Sequence, residues 1–242
     1  MPDPLVVVIG DSLAFHGPDR PEPADEPRLW PHVAAAELGG RAEIVARSGW
    51  TARHVWQAVA EDPRVWVLLR HADVLVLGAS GMDALPSPLP TAVRELIPSL
   101  RPAALRRGVR DGYRRAQPAL SRAFAALPGG GPAGLPARLT VDYLERCRVA
   151  VDAVRPGLPM LTLLPSVHRA GVYGGAHPHR PATDRAVRAW ARRSGVAELD
   201  VVPLVAEHVL AGYGNPDGMH WGWAAHRRVG AALAAALAEL VR

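Results

Sequence analysis

The sequence contains no lysine, since all 28 of its basic residues are arginine. A catalytic lysine Schiff base is therefore excluded. The single cysteine, Cys147, excludes an internal disulfide bond. Aromatic residues make up only 5% of the chain and no nucleic-acid recognition motif is present, so the net charge of +5 is weak evidence for an anionic partner. We expect small-molecule partners and no nucleic acid.

Long apolar segments are also missing. No run approaches the roughly 20 residues of a membrane-spanning helix, and the start of the chain lacks the features of a signal peptide. We therefore expect no membrane span and a cytoplasmic location. No Gly-x-Gly-x-x-Gly follows the first apolar run, so we expect no bound dinucleotide and no other bound cofactor. The segment His177-Pro178-His179 has no acid or cysteine nearby, so we predict no metal site. The oligomeric state stays open.

Short apolar runs alternate with helical patterns along the 242 residues, which is typical of parallel βαβ units in an α/β protein. We predict a single domain over residues 1–242. Its expected strands are residues 4–9, 42–46, 73–78, 158–164 and 196–200. Its expected helices are residues 30–38, 51–60, 139–154, 180–194 and 221–241.

Residues 84–137 depart from this alternation, and we predict a helical insertion there that covers the carboxyl end of the sheet. The segment begins with alternating prolines, contains seven arginines between residues 101 and 122, and has a run of three glycines near its end. A long insertion at this edge is usually a cover or a binding segment. A solvated, arginine-rich helix pair without a ligand is the other interpretation, and both stay open.

Two short motifs at opposite ends of the chain carry the residue types for nucleophilic catalysis. Gly10-Asp11-Ser12 follows a buried apolar run, and Asp217 and His220 lie three residues apart near the end. A serine becomes a nucleophile when a base accepts its proton and a third group holds that base. Taken singly, Ser12 is more typical of a helix cap and Asp217 of a turn. Their combination with His220 favours a serine acyl-transfer site.

Together with Gly49 after the second predicted strand and a glycine-aspartate cluster after the third, these motifs resemble the SGNH (GDSL) hydrolase superfamily. In order, they span nearly the whole chain. The resemblance implies a three-layer, flavodoxin-like fold around a central parallel sheet. It also implies Ser12 as nucleophile, His220 as general base and Asp217 as the group that orients the histidine. Members of the superfamily include esterases, lipases, thioesterases, carbohydrate deacetylases and some acyltransferases.

The oxyanion hole implied by the resemblance departs from the family at one position. The backbone N–H groups of Ser12 and Gly49 match the family pattern, but Met82 stands where the family has an asparagine. A thioether cannot donate a hydrogen bond, and loss of one oxyanion donor typically lowers the rate about 100- to 1000-fold. We therefore expect a replacement donor, either the N–H of Gly81 or Met82 or the hydroxyl of Ser80.

Four longer segments resemble one branch of this superfamily, namely residues 10–18, 49–53, 81–86 and 215–221. That branch transfers an octanoyl group from a coenzyme A thioester to a hydroxyl of a glucosylglycerate, in the biosynthesis of methylglucose lipopolysaccharides. The resemblance implies an acyl-CoA donor, a sugar acceptor and an acyl-serine. An esterase, thioesterase or carbohydrate deacetylase that uses water is the alternative, and an inactive lipid- or glycan-binding protein is a further one.

Substrate contacts are expected from tryptophans and polar side chains close to these motifs. The indole face of a tryptophan packs well on a sugar or an acyl chain, and its N–H can donate a hydrogen bond. The arginines of residues 84–137 are the expected partners of the coenzyme A phosphates. The predicted substrate-binding residues are Trp30, Trp50, Arg53, Ser80, Asp83 and Trp221.

Overall fold

The computed structural model describes residues 3–89, 93 and 96–240. Five parallel strands form one sheet in the order β2-β1-β3-β4-β5. This order and the helices on both faces confirm the predicted flavodoxin-like fold. The strands are β1 (Leu5–Gly10), β2 (Arg41–Ala46), β3 (Val74–Gly78), β4 (Met160–Leu163) and β5 (Ala197–Leu199).

Nine α-helices of the described residues matter for the site and its support. They are α1 (Trp30–Glu37), α2 (Ala52–Glu61), α3 (Pro63–His71), α4 (Ser80–Asp83), α5 (Ala103–Ala125), α6 (Ala137–Val154), α7 (Arg180–Ser194), α8 (Val202–Ala211) and α9 (Trp223–Leu240). None of the helices in the described part of the chain is both long and apolar enough to cross a membrane.

The alternation of side chains along β1 builds two cores. Val7 and Ile9 pack into the core formed with α2, α3, α6 and α7, whereas Val6 and Val8 pack into the core formed with α1, α8 and α9. All four side chains are completely buried. Because a central parallel strand is covered on both faces, it reads in the sequence as a continuous apolar run rather than an alternating one.

The strand order reverses beside β1, which lies between β2 and β3. In open α/β sheets, ligands bind at the carboxyl ends of the strands next to such a reversal. Gly10 pairs with Gly78 at this end, and a Cβ on Gly10 would lie only 2.8 Å from the Gly78 carbonyl oxygen. Glycine at position 10 therefore allows β1 and β3 to end side by side, directly below the loops that carry the site.

The predicted elements all form, but three short helices next to them were missed, namely α3, α4 and α8. Helix α3 begins one residue after α2 ends, because the Asp62 side chain accepts the Arg64 N–H at 2.9 Å and caps a new helix. Helix α8 follows β5 after a similarly short connection. Helix α9 begins at Trp223 rather than at the predicted residue 221, and residue 241 of that prediction lies outside the described residues.

Helix α5 is the main element of the predicted insertion, of which residues 90–92 and 94–95 lie outside the described residues. It packs on the loop after β4, where a Cβ on Gly174 would lie 2.6 Å from the Pro118 carbonyl oxygen. The glycine run packs on the same loop, since a Cβ on Gly130 would lie 2.6 Å from the Pro178 Cβ. The insertion therefore packs against the outer side of the loop that follows β4.

Candidate active site

Ser12 lies in a single 3₁₀ turn, Ser12–Ala14, directly after β1. The Asp11 side chain begins this turn by accepting the Leu13 N–H at 2.9 Å. Asp11 is almost completely buried, and this burial raises its pKa to about 6 although the Leu13 hydrogen bond opposes the shift. The capping role that serine commonly plays after a strand therefore belongs here to Asp11. The Ser12 hydroxyl therefore does not cap the turn.

The Ser12 hydroxyl meets the ring of His220. Ser12 Oγ lies 2.8 Å from His220 Nε2, and His220 Nδ1 lies 2.5 Å from Asp217 Oδ2. Because a carboxylate can only accept, His220 Nδ1 carries the proton and Nε2 is free to accept the proton of Ser12. The structure thus brings the three residues into one chain of hydrogen bonds, across 208 positions of sequence.

Asp217 is held by more than the histidine ring. Its Oδ1 accepts the backbone N–H groups of Met219 at 2.8 Å and of His220 at 3.0 Å. Partial burial raises the pKa of Asp217, but the hydrogen bonds from His220 and from these N–H groups outweigh it, so the pKa lies well below the usual range. Asp217 is therefore ionised, as a group that orients a base must be.

Asn215 ties the two motifs of the site together and was missed by the sequence analysis. Its Oδ1 accepts the Asp217 N–H at 3.0 Å, and its Nδ2 donates to the Gly17 carbonyl at 3.3 Å. Gly218 completes the turn at φ +76°, where a Cβ would lie 2.9 Å from Arg169 Cγ. Asn215 and Gly218 look like ordinary turn residues in the sequence. In the structure they hold Asp217 in position.

His16 stacks on the ring of His220, with centroids 3.7 Å apart and an angle of 12° between the planes. Its Nδ1 donates to the Gly17 carbonyl at 2.8 Å. Burial lowers the pKa of His16, and the nearby His220 lowers it further, against the raising effect of the Gly17 carbonyl. A neutral His16 therefore flanks His220. Nothing in the sequence alone distinguished this histidine, because the contact joins residues 16 and 220.

Trp30 and Trp221 lie below the Ser12 turn, and their predicted contacts with substrate stay a prediction. Both are buried in the core formed with α1, α8 and α9. Trp30 Nε1 donates to the Leu13 carbonyl at 2.8 Å, and its backbone N–H donates to His226 Nδ1 at 3.1 Å. Both indoles line a small cavity that is also bordered by Leu13 and Gly81.

Ser80 and Asp83 are both engaged in hydrogen bonds within the protein. Their predicted role as substrate ligands stays a prediction. Ser80 Oγ donates to the Leu163 carbonyl at 3.0 Å, so its hydroxyl proton is unavailable to an oxyanion. Asp83 is completely buried and accepts the Ala52 N–H at 3.0 Å, at the start of α2. Burial raises the pKa of Asp83 to about 8, against the lowering effect of the Thr140 and Ala52 hydrogen bonds.

The backbone donors predicted for the oxyanion hole surround the end of β1. Gly49 has φ +80° in the turn between β2 and α2, a conformation that favours glycine. Gly81 and Met82 belong to the short helix α4 after β3. The N–H groups of a first helical turn have no acceptor within their own helix. With Ser80 engaged elsewhere, these N–H groups and that of Ser12 remain the predicted donors.

Trp50 and Arg53 lie to one side of this arrangement. Trp50 is half-buried and its ring lies parallel to that of His54, with centroids 6.4 Å apart. It lines an open groove of about 1140 Å³ between β2, α2 and α3, together with Arg47. Arg53 is partly exposed in the first turn of α2. Their predicted contacts with substrate stay a prediction, and the groove does not include Ser12 among its lining residues.

A narrow, mainly apolar cleft lies beside Ser12. Met82 lines it and packs, together with Met219, against a cluster that includes Leu85. The residue that replaces the family asparagine is thus part of an apolar wall. The remaining lining residues are Asp11, Leu13, Gly81, Ser166, Val167, His168 and His177.

One group of side chains in the described residues has three possible metal ligands within 4.8 Å of one another, and it consists of His16, Asp217 and His220. Both ring nitrogens of His220 are engaged, with Ser12 and with Asp217, and His16 Nδ1 donates to a carbonyl. The group is therefore better described as a hydrogen-bonded relay than as a metal site. His177 and His179 do not belong to it.

Solved structures with the same fold are hydrolases. A GDSL-like lipase from Parabacteroides merdae has a TM-score of 0.62 at 13% identity, with 98% of this chain and 96% of that chain covered. An arylesterase from Agrobacterium tumefaciens has a TM-score of 0.59 at 17% identity, with 98% and 99% covered. No protein-family model matches the chain. The chain therefore has the fold of the SGNH (GDSL) hydrolases.

Two curated relatives are much more similar in sequence. The diglucosylglycerate octanoyltransferase of Mycolicibacterium hassiacum is 48% identical over 236 residues, which are 98% of this chain and 95% of that protein. The protein of the same name from Mycobacterium tuberculosis is 47% identical over 98% of this chain and 93% of its own length. The chain belongs to the diglucosylglycerate octanoyltransferase family, and it is an acyltransferase.

Proposed function

We propose that this protein transfers an octanoyl group from octanoyl-CoA to a hydroxyl of diglucosylglycerate through an octanoyl-Ser12 intermediate. The relay from Ser12 through His220 to Asp217 is the observation that carries this proposal. The acceptor and the acyl group are those in the names of the two relatives. Coenzyme A as the donor comes from the resemblance alone, and a cytoplasmic location stays an expectation from the sequence.

In the first half-reaction, His220 Nε2 accepts the Ser12 proton while Oγ attacks the thioester carbonyl. Asp217 stabilises the imidazolium that forms. The proposed donors to the oxyanion are the N–H groups of Ser12 and Gly49 and that of Gly81 or Met82. The C–S bond then breaks, and His220 returns the proton to the departing thiolate. The products are octanoyl-Ser12 and free coenzyme A.

In the second half-reaction, His220 accepts the proton of a sugar hydroxyl, whose oxygen attacks the octanoyl-Ser12 carbonyl. The ester bond to Ser12 breaks, and the proton returns to Ser12 Oγ. Transfer from a thioester to an oxygen ester is downhill, so no further energy source is needed. The acceptor must outcompete water, which requires that the site positions the sugar far better than it positions water.

The apolar cleft beside Ser12 is the place for the acyl chain. Its lining is mainly apolar, which suits a hydrocarbon chain. Met82, Leu85 and Met219 offer apolar surface directly next to the acylated serine. Met82, which replaces the family asparagine, thus adds apolar surface for the acyl chain. The same replacement removes a side-chain hydrogen-bond donor to the oxyanion.

Exposed arginines on α5 are the proposed contacts for the coenzyme A phosphates. Arg107, Arg114 and Arg115 are exposed on this helix, which packs on the loop that also lines the cleft. A guanidinium matches a phosphate group with paired hydrogen bonds. Neutral substitution of all three should raise the KM for octanoyl-CoA and leave the KM for a short non-nucleotide thioester unchanged.

Hydrolysis by the same machinery is the second candidate function, favoured by the hydrolases that share the fold. The two are separated by incubating the protein with octanoyl-CoA, with and without diglucosylglycerate, and measuring octanoyl ester and free octanoate. Transfer predicts ester and little octanoate when the acceptor is present. Equal octanoate release with and without acceptor would contradict transfer, and turnover by Ser12→Ala would contradict the acyl-serine.

A further inference from the structure

A groove along the edge of the sheet is separate from the acyl cleft. It runs between the edge strand β2 and the helices α2 and α3, and its lining residues include Arg47, Trp50 and Gln57. The acyl cleft is lined mainly by residues that follow β1, β3 and β4, such as Met82 and His168. The two depressions share no lining residue, so they can hold different groups at the same time.

The upper end of the groove is the turn that carries the predicted oxyanion donor Gly49. The Arg47 N–H donates to the Gly10 carbonyl at 3.4 Å, close to Ser12, and the Trp50 N–H donates to the Arg47 carbonyl at 3.2 Å. A Cβ on Gly49 would have no atom of a more distant residue within 4 Å, so the surface of this turn is open. A ligand in the groove can therefore extend to Ser12 across Gly49, from the β2 side of the sheet.

The groove carries one guanidinium that has no partner among the described residues. Arg47 is exposed, and its side chain makes no hydrogen bond or ion pair within the described part of the chain. Arg64, which also lines the groove, is bound to Asp62 at 2.6 Å. A single free guanidinium suits a ligand with one carboxylate, to which it can donate paired hydrogen bonds. The several phosphate charges of coenzyme A would require more cations.

The rest of the lining suits hydroxyl groups and a sugar ring. Because β2 is the edge strand and pairs with β1, the backbone groups on its outer edge have no strand partner in the described sheet. Gln57 adds an amide that can donate and accept hydrogen bonds. Trp50 adds a half-buried indole, whose apolar body can pack on the face of a sugar. A glucosylglycerate combines these features, since it has hydroxyl-rich rings and one carboxylate.

We propose that this groove is the acceptor subsite, in which Arg47 binds the glycerate carboxylate and Trp50 packs on a glucose ring. The inference rests on the proposed transfer to diglucosylglycerate. The octanoyl chain lies on the β3 and β4 side of Ser12, and the sugar hydroxyl arrives from the β2 side, across Gly49. Acyl chain and acceptor then do not compete for space, and the acceptor is held in place against the competition of water.

The test measures the KM of diglucosylglycerate and of its carboxamide, which has a neutral amide in place of the carboxylate, with octanoyl-CoA as donor. The variants are Arg47→Gln and Trp50→Leu. Arg41→Gln is the matched control, because Arg41 is exposed at the other end of β2, pairs with Glu43 at 3.1 Å and does not line the groove. The KM of octanoyl-CoA is measured alongside.

We expect Arg47→Gln to raise the KM of diglucosylglycerate about tenfold or more, because a hydrogen-bonded contact between two charged groups is lost. The wild-type protein should show a similar increase with the carboxamide, and Arg47→Gln should add little to it. Trp50→Leu should raise the KM of both acceptors, since the indole contacts an uncharged ring. Arg41→Gln should change neither value.

An increase by the same factor for both acceptors in Arg47→Gln would overturn the inference. A raised KM for octanoyl-CoA in place of the acceptor would also overturn it, because the groove would then hold the donor. Wild-type KM values in Trp50→Leu would exclude the sugar contact. Arg47 is exposed, so Arg47→Gln decides the matter even where Trp50→Leu fails to fold.

Calorimetry separates this inference from the proposed function. Diglucosylglycerate should bind Ser12→Ala, which lacks the nucleophile, about tenfold more tightly than the double variant that also carries Arg47→Gln. If the wild-type protein forms no octanoyl ester but this difference is present, only the proposed function is wrong. If the difference is absent, or diglucosylglycerate does not bind Ser12→Ala, the acceptor subsite is wrong whether or not ester forms.

Discussion

Asp217→Asn tests whether the relay works by fixing the proton on His220 Nδ1. The two carboxylate oxygens have different tasks, since Oδ2 accepts from His220 Nδ1 and Oδ1 accepts the N–H groups of Met219 and His220. Asparagine has one acceptor and one donor. If its oxygen keeps the two N–H groups, its NH₂ faces His220 Nδ1 and forces the proton onto Nε2, where it blocks acceptance from Ser12.

The productive arrangement requires the asparagine to turn its oxygen to His220 Nδ1, at the loss of two backbone hydrogen bonds. Each is worth about 0.5–1.5 kcal/mol where water can replace the partner, and the Asp217 side chain is 41% exposed. Loss of the carboxylate charge removes about 1 kcal/mol more from the bond to His220. The sum of about 2–4 kcal/mol corresponds to a rate about 30- to 1000-fold lower.

The rate to measure is octanoyl-Ser12 formation in a single turnover, because it does not depend on the acceptor. Asp217→Ala is the control: it removes the charge and all three hydrogen bonds but leaves His220 free to adopt either tautomer. Asparagine should therefore be at least as damaging as alanine. An asparagine variant with a rate within threefold of the wild type, or one well above the alanine variant, would refute the tautomer argument.

Three further predictions concern the support of the site. His16→Phe should retain most of the acylation rate because a ring still stacks on His220, whereas His16→Ala should lower it by about tenfold; equal rates would exclude positioning by stacking. Gly10→Ala should lower the melting temperature markedly, since its Cβ would lie 2.8 Å from the Gly78 oxygen; an unchanged melting curve would contradict this. The pKa of Asp83 is raised to about 8, so the folded state binds a proton that the unfolded state has lost, and stability should fall as pH rises from about 4 to 8. Urea unfolding should show the stability of Asp83→Asn increasing relative to the wild type over this range, and a constant difference would refute the shift.

Local chemistry made much of the fold predictable. A central parallel strand is buried on both faces, so β1 appears in the sequence as the uninterrupted apolar run Leu5–Gly10. The helices with long periodic patterns, such as α6 and α9, were predicted for a similar reason. Helix α3 was missed because its boundary depends on one side chain, Asp62, that caps it immediately after α2 ends.

The site was predictable only where a motif is local. Ser12, Asp217 and His220 belong to short segments whose order suggested their proximity. Trp30, Trp221, Ser80 and Asp83 stand next to the same motifs but point into the protein, and sequence adjacency could not reveal direction. Side chains a few positions apart in a turn can face opposite sides. Only the tertiary structure therefore showed which of these residues meet at the site and which are buried.

The sequence by itself therefore determined the parallel α/β fold and the residue types that the chemistry needs, because both depend on patterns within single segments. Tertiary structure decided which groups meet: His16 stacked on His220, Asn215 bridging the two ends of the chain, and the rings of His168 and His177 side by side next to Ser12. Each of these contacts joins loops that are brought together when the parallel strands align. Contacts of that kind have no periodicity or spacing that a single sequence can display.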